Sequence, residues 1–297
     1  MEVRLLGRVE IRGGNAVLAP SRTAERCVLA ALALSPGHPV HIDRLVDSLW
    51  GDQPPTKAEE TIATHVRSVR RLIERVGGER AWLRSRRPGA YVLEIPSALV
   101  DYGRFTDLKR SAAASARAGG AHDSIDTYQR ALDLWRGEPL EGIATAWADR
   151  RRQAIDRDYV DAVHELLEQQ LCVGEYAAAV TRIQKLFEER IPTDSLIGIG
   201  LYSLAYSGHR ASIPQFLDRA RAAMRDLAGI GPSAKTQALA RRLAEGADPD
   251  VPLAGAGTLP ERAAPHGGHP DAAGETVTMV AVSSEVVYQS GRDQHIN

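Results

Sequence analysis

Apolar residues in the first hundred positions follow two rhythms. Val3, Leu5, Val9, Ile11, Val17 and Leu18 occupy short, partly alternating runs on either side of Gly13-Gly14-Asn15. Alternation puts every second side chain on one face of a strand, and the glycines permit a tight reversal. The stretch therefore predicts a small antiparallel sheet. The period then lengthens. Thr23 to Leu34 predicts a first helix, stopped by Pro36-Gly37. Ile42, Leu45, Val46, Leu49 and Trp50 stand at i, i+3, i+4, i+7 and i+8, which is one buried stripe on a second helix from Ile42 to Trp50. Gly51 ends it, and Asp52-Gln53-Pro54-Pro55-Thr56 forms the next turn.

A third helix, about Lys57 to Val76, turns the pattern toward function. Ile62, Val66, Val69, Ile73 and Val76 are spaced by four and three and stack into one narrow core-facing stripe. Thr64, Arg67, Ser68, Arg71 and Arg75 must then face the opposite way, with Arg70 on the flank and Glu74 near the edge. An ordinary solvated helix face could carry the same residues. The stretch that follows favours a sharper reading. Trp82-Leu83-Arg84-Ser85 and Ala90-Tyr91-Val92-Leu93 are strand-like, and Arg86-Arg87-Pro88-Gly89 makes the turn between them. A hairpin tipped with arginines after a basic helix is the wing of a winged helix. The helix fits the major groove of B-DNA, where arginine reads guanine or clamps phosphate.

Beyond residue 100 the texture changes. Residues 101–246 read as nearly continuous helix, broken at Gly119-Gly120, Gly174-Glu175 and Ser207-Gly208-His209. Segments such as Tyr128–Trp135, Tyr176–Phe187 and Ser212–Leu227 mix small residues with leucine at helical spacing, the texture of a tetratricopeptide-like array. Trp135, Trp147, Tyr202 and Tyr206 are expected in its core, and Arg150-Arg151-Arg152 on a solvated face, with a touch on DNA or polymerase as the other reading. Residues 247–276 are rich in Gly, Pro and Ala and predict a disordered linker. Residues 277–297 contain β-prone runs, Val277-Thr278-Met279-Val280-Ala281-Val282 and Val286-Val287-Tyr288. The end, Tyr288 to Asn297, resembles bacterial amyloid signalling motifs, which implies a tail-mediated protein partner. An inert tail fits the same composition.

Composition narrows the class. Of 297 residues, 43% are hydrophobic and 25% charged, as in a soluble globular protein, and the formal net charge is −1. Any nucleic-acid footprint must then be local, and residues 57–91 carry an excess of five positive charges. Cys27 and Cys172 lie in apolar helical patterns and read as small buried hydrophobes. No run is long and apolar enough for a membrane span, and the N-terminus lacks the layout of a signal peptide. A cytoplasmic, nucleoid-associated protein is expected. There is no Gly-x-x-x-x-Gly-Lys loop, no His-Glu-x-x-His and no Gly-x-Ser-x-Gly, so no catalytic residues, no enzyme activity and no cofactor are expected. His266 and His269 lack a rigid scaffold, so no metal site is expected.

The order sheet, three helices and hairpin resembles the Streptomyces antibiotic regulatory proteins. Four stretches carry the resemblance: Arg26 to Leu32; Asp43-Arg44-Leu45 through Leu49-Trp50-Gly51; His65-Val66 with Val69-Arg70-Arg71; and Arg87-Pro88-Gly89-Ala90-Tyr91. The stretches Ala131 to Gly137 and Tyr206 to Arg210 resemble the same family's bacterial transcriptional activation domain. The implied fold class is mainly α. A winged helix-turn-helix of α+β type spans 1–96, an all-α tetratricopeptide-like domain spans 101–246, and a disordered tail follows. The resemblance implies a sequence-specific activator of antibiotic biosynthesis genes. It would bind double-stranded DNA at direct repeats as a homodimer and recruit RNA polymerase holoenzyme. It adds His65 and Tyr91 to the DNA-contacting set of Thr64, Arg67, Ser68, Arg70, Arg71, Arg75, Arg86 and Arg87, with Arg22 standing in for a basic residue usual where this chain has Ala24. A helical interaction scaffold or a signalling or defence adaptor acting through the tail is the alternative.

Overall fold

Val3 faces Ile11, both fully buried, in the pairing of β1 (Glu2–Arg4) with β2 (Glu10–Gly13). A third strand, β3 (Ala16–Leu18), completes an antiparallel sheet in the order β1-β2-β3. These coordinates are a computed structural model, which describes residues 1–189 and 192–248. The linker and β-prone tail expected from the sequence lie, from residue 249 onward, outside the described residues. Gly13 is fixed by a close approach. A Cβ there would lie 2.0 Å from the carbonyl oxygen of Val76, so only a bare backbone fits between this sheet and the end of the third helix.

Helices α1 (Thr23–Ala33), α2 (Ile42–Trp50) and α3 (Ala58–Arg75) pack on one another. Ile62, Val66, Val69 and Ile73 are all 0% exposed, as the four–three spacing requires. Each contributes about 1.5–3 kcal/mol by leaving water. Helix α3 stops at Arg75, one residue before the expected end, and the amide of Val76 closes on the Leu72 carbonyl at 3.2 Å.

The hairpin is β5 (Leu83–Arg86) and β6 (Ala90–Leu93). Trp82 falls outside the strand, in a 3-10 turn over Arg80–Trp82. A two-residue strand, β4 (Val40–His41), pairs with β6 and makes a second sheet in the order β4-β6-β5. Two residues are too few to show a period, so the sequence pattern passes over β4. It joins the start of α2 to the wing, and the Ile42 amide donates to the Gly89 carbonyl at 2.8 Å.

Among the described residues seven helices follow: α4 (Asp101–Arg117), α5 (Ala121–Leu132), α6 (Ala146–Val173), α7 (Tyr176–Glu189), α8 (Asp194–Tyr206), α9 (Ile213–Ala228) and α10 (Ala234–Ala244). The three glycine-containing breaks fall between α4 and α5, α6 and α7, and α8 and α9. Gly174 caps α6 in the left-handed region at φ 82°. Consecutive helices pack on each other, the arrangement expected of stacked pairs. Trp135, Trp147 and Tyr202 are half-buried against the core, and Tyr206 stacks on Tyr176 with centroids 5.4 Å apart.

Two expectations fail in the helical half. Helix does not continue through Tyr128–Trp135, because α5 ends at Leu132 and residues 133–145 cross back to the first sheet. There Arg136, Leu140 and Glu141 donate their amides to the carbonyls of Leu6, Leu5 and Gly7 at 2.9, 2.8 and 3.1 Å. Asp101, 2% exposed, accepts from the amides of Leu5 and Leu6 at 2.7 and 3.1 Å and from the Arg136 guanidinium at 2.8 Å. The crossing segment is nailed down twice more. Arg26 of α1 donates to the Gly142 carbonyl at 2.9 Å, and Arg152 of α6 donates to the carbonyls of Pro139, Leu140 and Ile143. Arg152 is thus not part of a solvated face, since its side chain is 14% exposed; Arg150 and Arg151 are exposed. Cys27 and Cys172 are both free, and burial pushes the Cys27 thiol up to about 11.

Candidate nucleic-acid interface

The outer face of α3 is built by subtraction. Four apolar residues hold the inner face against α1, and helical geometry turns Thr64, Arg67, Arg71 and Arg75 outward, all exposed, with Ser68 half-buried beside them. Arg67 folds along its own helix, donating to the Ala63 carbonyl at 3.3 Å and to Thr64 Oγ1 at 3.4 Å. Arg71, Arg75 and Arg87 have no ion-pair or side-chain hydrogen-bond partner among the described residues. The stripe from Thr64 to Arg75 spans about 16 Å at 1.5 Å per residue, and its residues recur once per turn.

Other residues of the expected set are placed differently. Arg70 turns from the exposed face toward the wing. Its Nε donates to the Leu83 carbonyl at 2.8 Å, its Nη2 donates to Ser85 Oγ at 3.0 Å, and its guanidinium lies 6.0 Å from the centre of the Tyr91 ring. Burial pushes its pKa down, Tyr91 opposing and Arg80 adding to the shift. Arg70 and half-buried Tyr91 therefore join helix to hairpin instead of standing on the groove-facing stripe. Ser85 is also exposed on this wing, and the sequence pattern does not single it out because its partner lies fifteen residues away.

His65 is the clearest departure: it is 7% exposed, and its Nδ1 has no hydrogen-bond partner among the described residues. The residue follows Thr64 by one position, which swings it about 100° around the helix and into the interior. Burial holds its imidazole below the usual value, Glu25 pulling it up and Arg22 pushing it down. Arg22 itself is exposed at the start of α1, where the Glu25 carboxylate accepts from its amide at 3.5 Å. Helix α2 has no side-chain cap, since His41 stands at that position without a capping bond.

The wing carries its own counter-charge. Arg86 and Arg84 both reach the carboxylate of Glu94, at 2.8 and 3.0 Å. Arg87, at the tip, is left exposed. Among the described residues, no helix is long and apolar enough to cross a membrane.

A three-helix core with a basic outer stripe and an arginine-tipped hairpin, continued into stacked helices, is the architecture of a winged helix-turn-helix joined to an all-α helical domain. Comparison with known proteins agrees. A family described as "Transcriptional regulatory protein, C terminal" matches residues 19–93, and one described as "Bacterial transcriptional activator domain" matches residues 100–244. Relatives include the regulatory protein AfsR of Streptomyces coelicolor, 28% identical over 82% of this chain and 24% of that protein. The regulatory protein DnrI of Streptomyces peucetius is 25% identical over 84% of this chain and 94% of its own length. The solved structure of Mycobacterium tuberculosis EmbR, in complex with a low affinity phosphopeptide, superposes with a TM-score of 0.73 at 25% identity, covering 84% of this chain and 66% of that one. The chain thus spans about a quarter of AfsR and most of DnrI. It belongs to the Streptomyces antibiotic regulatory protein family, winged-helix regulators carrying a bacterial transcriptional activator domain.

Proposed function

We propose that this chain is a sequence-specific activator that reads DNA with the outer stripe of α3. The observation that carries the reading is the exposed line Thr64, Arg67, Arg71 and Arg75, flanked by the unpaired arginine at the wing tip, Arg87. In this reading Arg71 reaches base edges, Thr64 and Ser68 let the backbone approach, and Arg75 and Arg87 contact phosphate. Arg22 supplies a further phosphate contact at the start of α1. Arg70 and Tyr91 hold the wing at its angle, and Arg86 joins the phosphate contacts once it leaves Glu94.

The winged helix-turn-helix over 1–96 binds direct repeats as a homodimer, with half-sites about one helical turn apart. The helical domain over 101–246 contacts RNA polymerase holoenzyme, and the genes controlled are those of antibiotic biosynthesis. The protein acts in the cytoplasm, on the nucleoid, as a regulator and not an enzyme.

Footprinting on upstream regions of the host genome tests this. Discrete protected repeats are expected. Arg71→Ala should lose about 1–3 kcal/mol of binding and relax the preference at one base position. Arg87→Ala should weaken binding to all sequences and reduce the salt slope by about one. Absence of any protected site would leave the helical domain as an interaction scaffold.

A further inference from the structure

On the face of the hairpin turned from α3, one acidic residue holds two cations. Strand register explains why. Arg84 opposes Val92 and Arg86 opposes Ala90, so these side chains share one face, while Ser85 and Tyr91 share the face toward Arg70. Glu94 follows β6 by one residue, and its amide donates to the Trp82 carbonyl at 2.6 Å, which keeps the alternation going. Its carboxylate therefore lands beside Arg84 and Arg86. One oxygen takes Arg86 Nη2 at 2.8 Å, and the other takes Arg84 Nε at 3.0 Å. Glu94 is 27% exposed, and the two arginines are 57% and 53% exposed. Glu94 and Arg86, together with Arg87, Pro88 and His41, line a shallow groove of about 400 Å³.

We propose that Glu94 determines the DNA selectivity of the wing by occupying, on Arg84 and Arg86, the positions a backbone phosphate would take. This inference rests on the DNA-binding reading above and goes beyond it. A carboxylate and a phosphate present the same bidentate oxygens to guanidinium. While Glu94 is in place the wing offers one uncommitted cation, Arg87. Arg84 and Arg86 become available only when a phosphate displaces Glu94. The pairs are more than half open on the arginine side, so the exchange is shallow and reversible.

Contacts to phosphate supply nearly all of non-sequence-specific affinity, whereas contacts to base edges supply discrimination. Masking two wing cations therefore lowers the affinity for every sequence. A bound operator, aligned by the α3 stripe, holds a phosphate long enough at the wing to make the exchange. Selectivity rises because the background falls.

The experiment compares wild type, Glu94→Gln, and Glu94→Gln with Arg84→Ala and Arg86→Ala, all in the full chain. Binding is titrated on an operator duplex and on a scrambled duplex across a range of salt. The glutamine keeps the backbone bond to Trp82, and thermal unfolding checks that the fold is kept. Glu94→Gln should raise affinity for the scrambled duplex by about 3- to 30-fold at low salt and steepen the salt slope by about one to two, with a smaller gain on the operator. The triple variant should lose that gain. An unchanged slope in Glu94→Gln, or a gain that survives removal of both arginines, overturns the proposal while the wild type still binds its operator. A wild type that binds no DNA overturns the DNA-binding reading, and this proposal with it.

Discussion

Asp101 and Arg136 meet at 2.8 Å, and through them the first strand of the winged-helix half is fastened to the helical half. Asp101 also caps the amides of Leu5 and Leu6, both 0% exposed. Arg136 extends the contact to Glu10 at 3.2 Å, Glu10 to Arg4, Arg4 to Glu2, and Glu2 to Arg104, so charges alternate across the boundary. Arg136→Met leaves a buried carboxylate without its cation. The expected loss is about 3 kcal/mol, at the low end for a broken buried pair because Arg136 is 31% exposed. Urea denaturation of the two proteins measures it. A difference under about 1 kcal/mol would mean that the amides alone satisfy Asp101.

The same geometry predicts how fragments behave. In residues 1–96 alone, Leu5 and Leu6 lose the partners of both their amides and their carbonyls. The amides of Leu5 and Leu6 should exchange freely in that fragment, while both are protected in the full chain. Protection in the fragment would show that the first strand belongs to the winged helix by itself.

Arg70 should act differently from Arg71. Arg70→Ala removes the bonds to Leu83 and Ser85, so hydrogen exchange should speed in the hairpin. DNA affinity should fall by a similar factor on all sequences, without a change of base preference. Arg71→Ala should change preference and leave hairpin exchange alone. Identical profiles for the two variants would refute the division of labour.

His65 gives the winged helix a pH dependence of known sign. Its folded-state pKa lies below the usual value because the site is buried. The unfolded chain therefore binds the proton more readily. The stability that His65 contributes is complete above about pH 6.5 and is lost as pH falls from there through the folded value. His65→Gln should flatten the decline that sets in as pH falls below about 6.5. Thermal unfolding at several pH values reads this, and parallel curves for the two proteins would argue against it.

Gly200 sits where α8 meets α9. A Cβ there would lie 2.2 Å from the tip of the Phe216 ring, and Phe216 is 2% exposed. Gly200→Ala should destabilise by about 1–3 kcal/mol through overpacking, despite alanine's better helix propensity. A variant as stable as wild type would mean that Phe216 has room to turn aside.

Local periodicity made much of this legible. The apolar stripe of α3 fixed both its buried face and, by opposition, Thr64, Arg67, Arg71 and Arg75. Helix α2 runs from Ile42 to Trp50 as its i, i+3, i+4 pattern requires. What escaped depends on partners distant in sequence. Arg70 and Arg71 are neighbours in one basic run, and only the position of Ser85 separates the brace from the free cation. Glu94 is ten residues from Arg84 and has no meaning until the hairpin forms. The segment 133–145 looked helical at its start because Leu132, Leu134 and Trp135 are apolar. Its backbone is claimed instead by Leu5, Leu6 and Gly7, more than a hundred residues earlier. Only the family resemblance puts His65 in the contact set, and one step of helical rotation places it inside.

Helix α6 runs for 28 residues, about 42 Å, from a start beside α2 of the winged helix to its far end at α7. With Arg26, Arg152 and Asp101 fixing the seam, the proposed DNA-binding role would make that length an arm held at a constant heading from a bound operator. Rotation of the operator about the DNA axis carries the arm with it. Moving the operator about 5 base pairs, half a turn, would swing the arm to the opposite side of the promoter, and about 10 would bring it back. Gene expression should therefore rise and fall with spacing as a wave, with the period of the DNA and not of the protein.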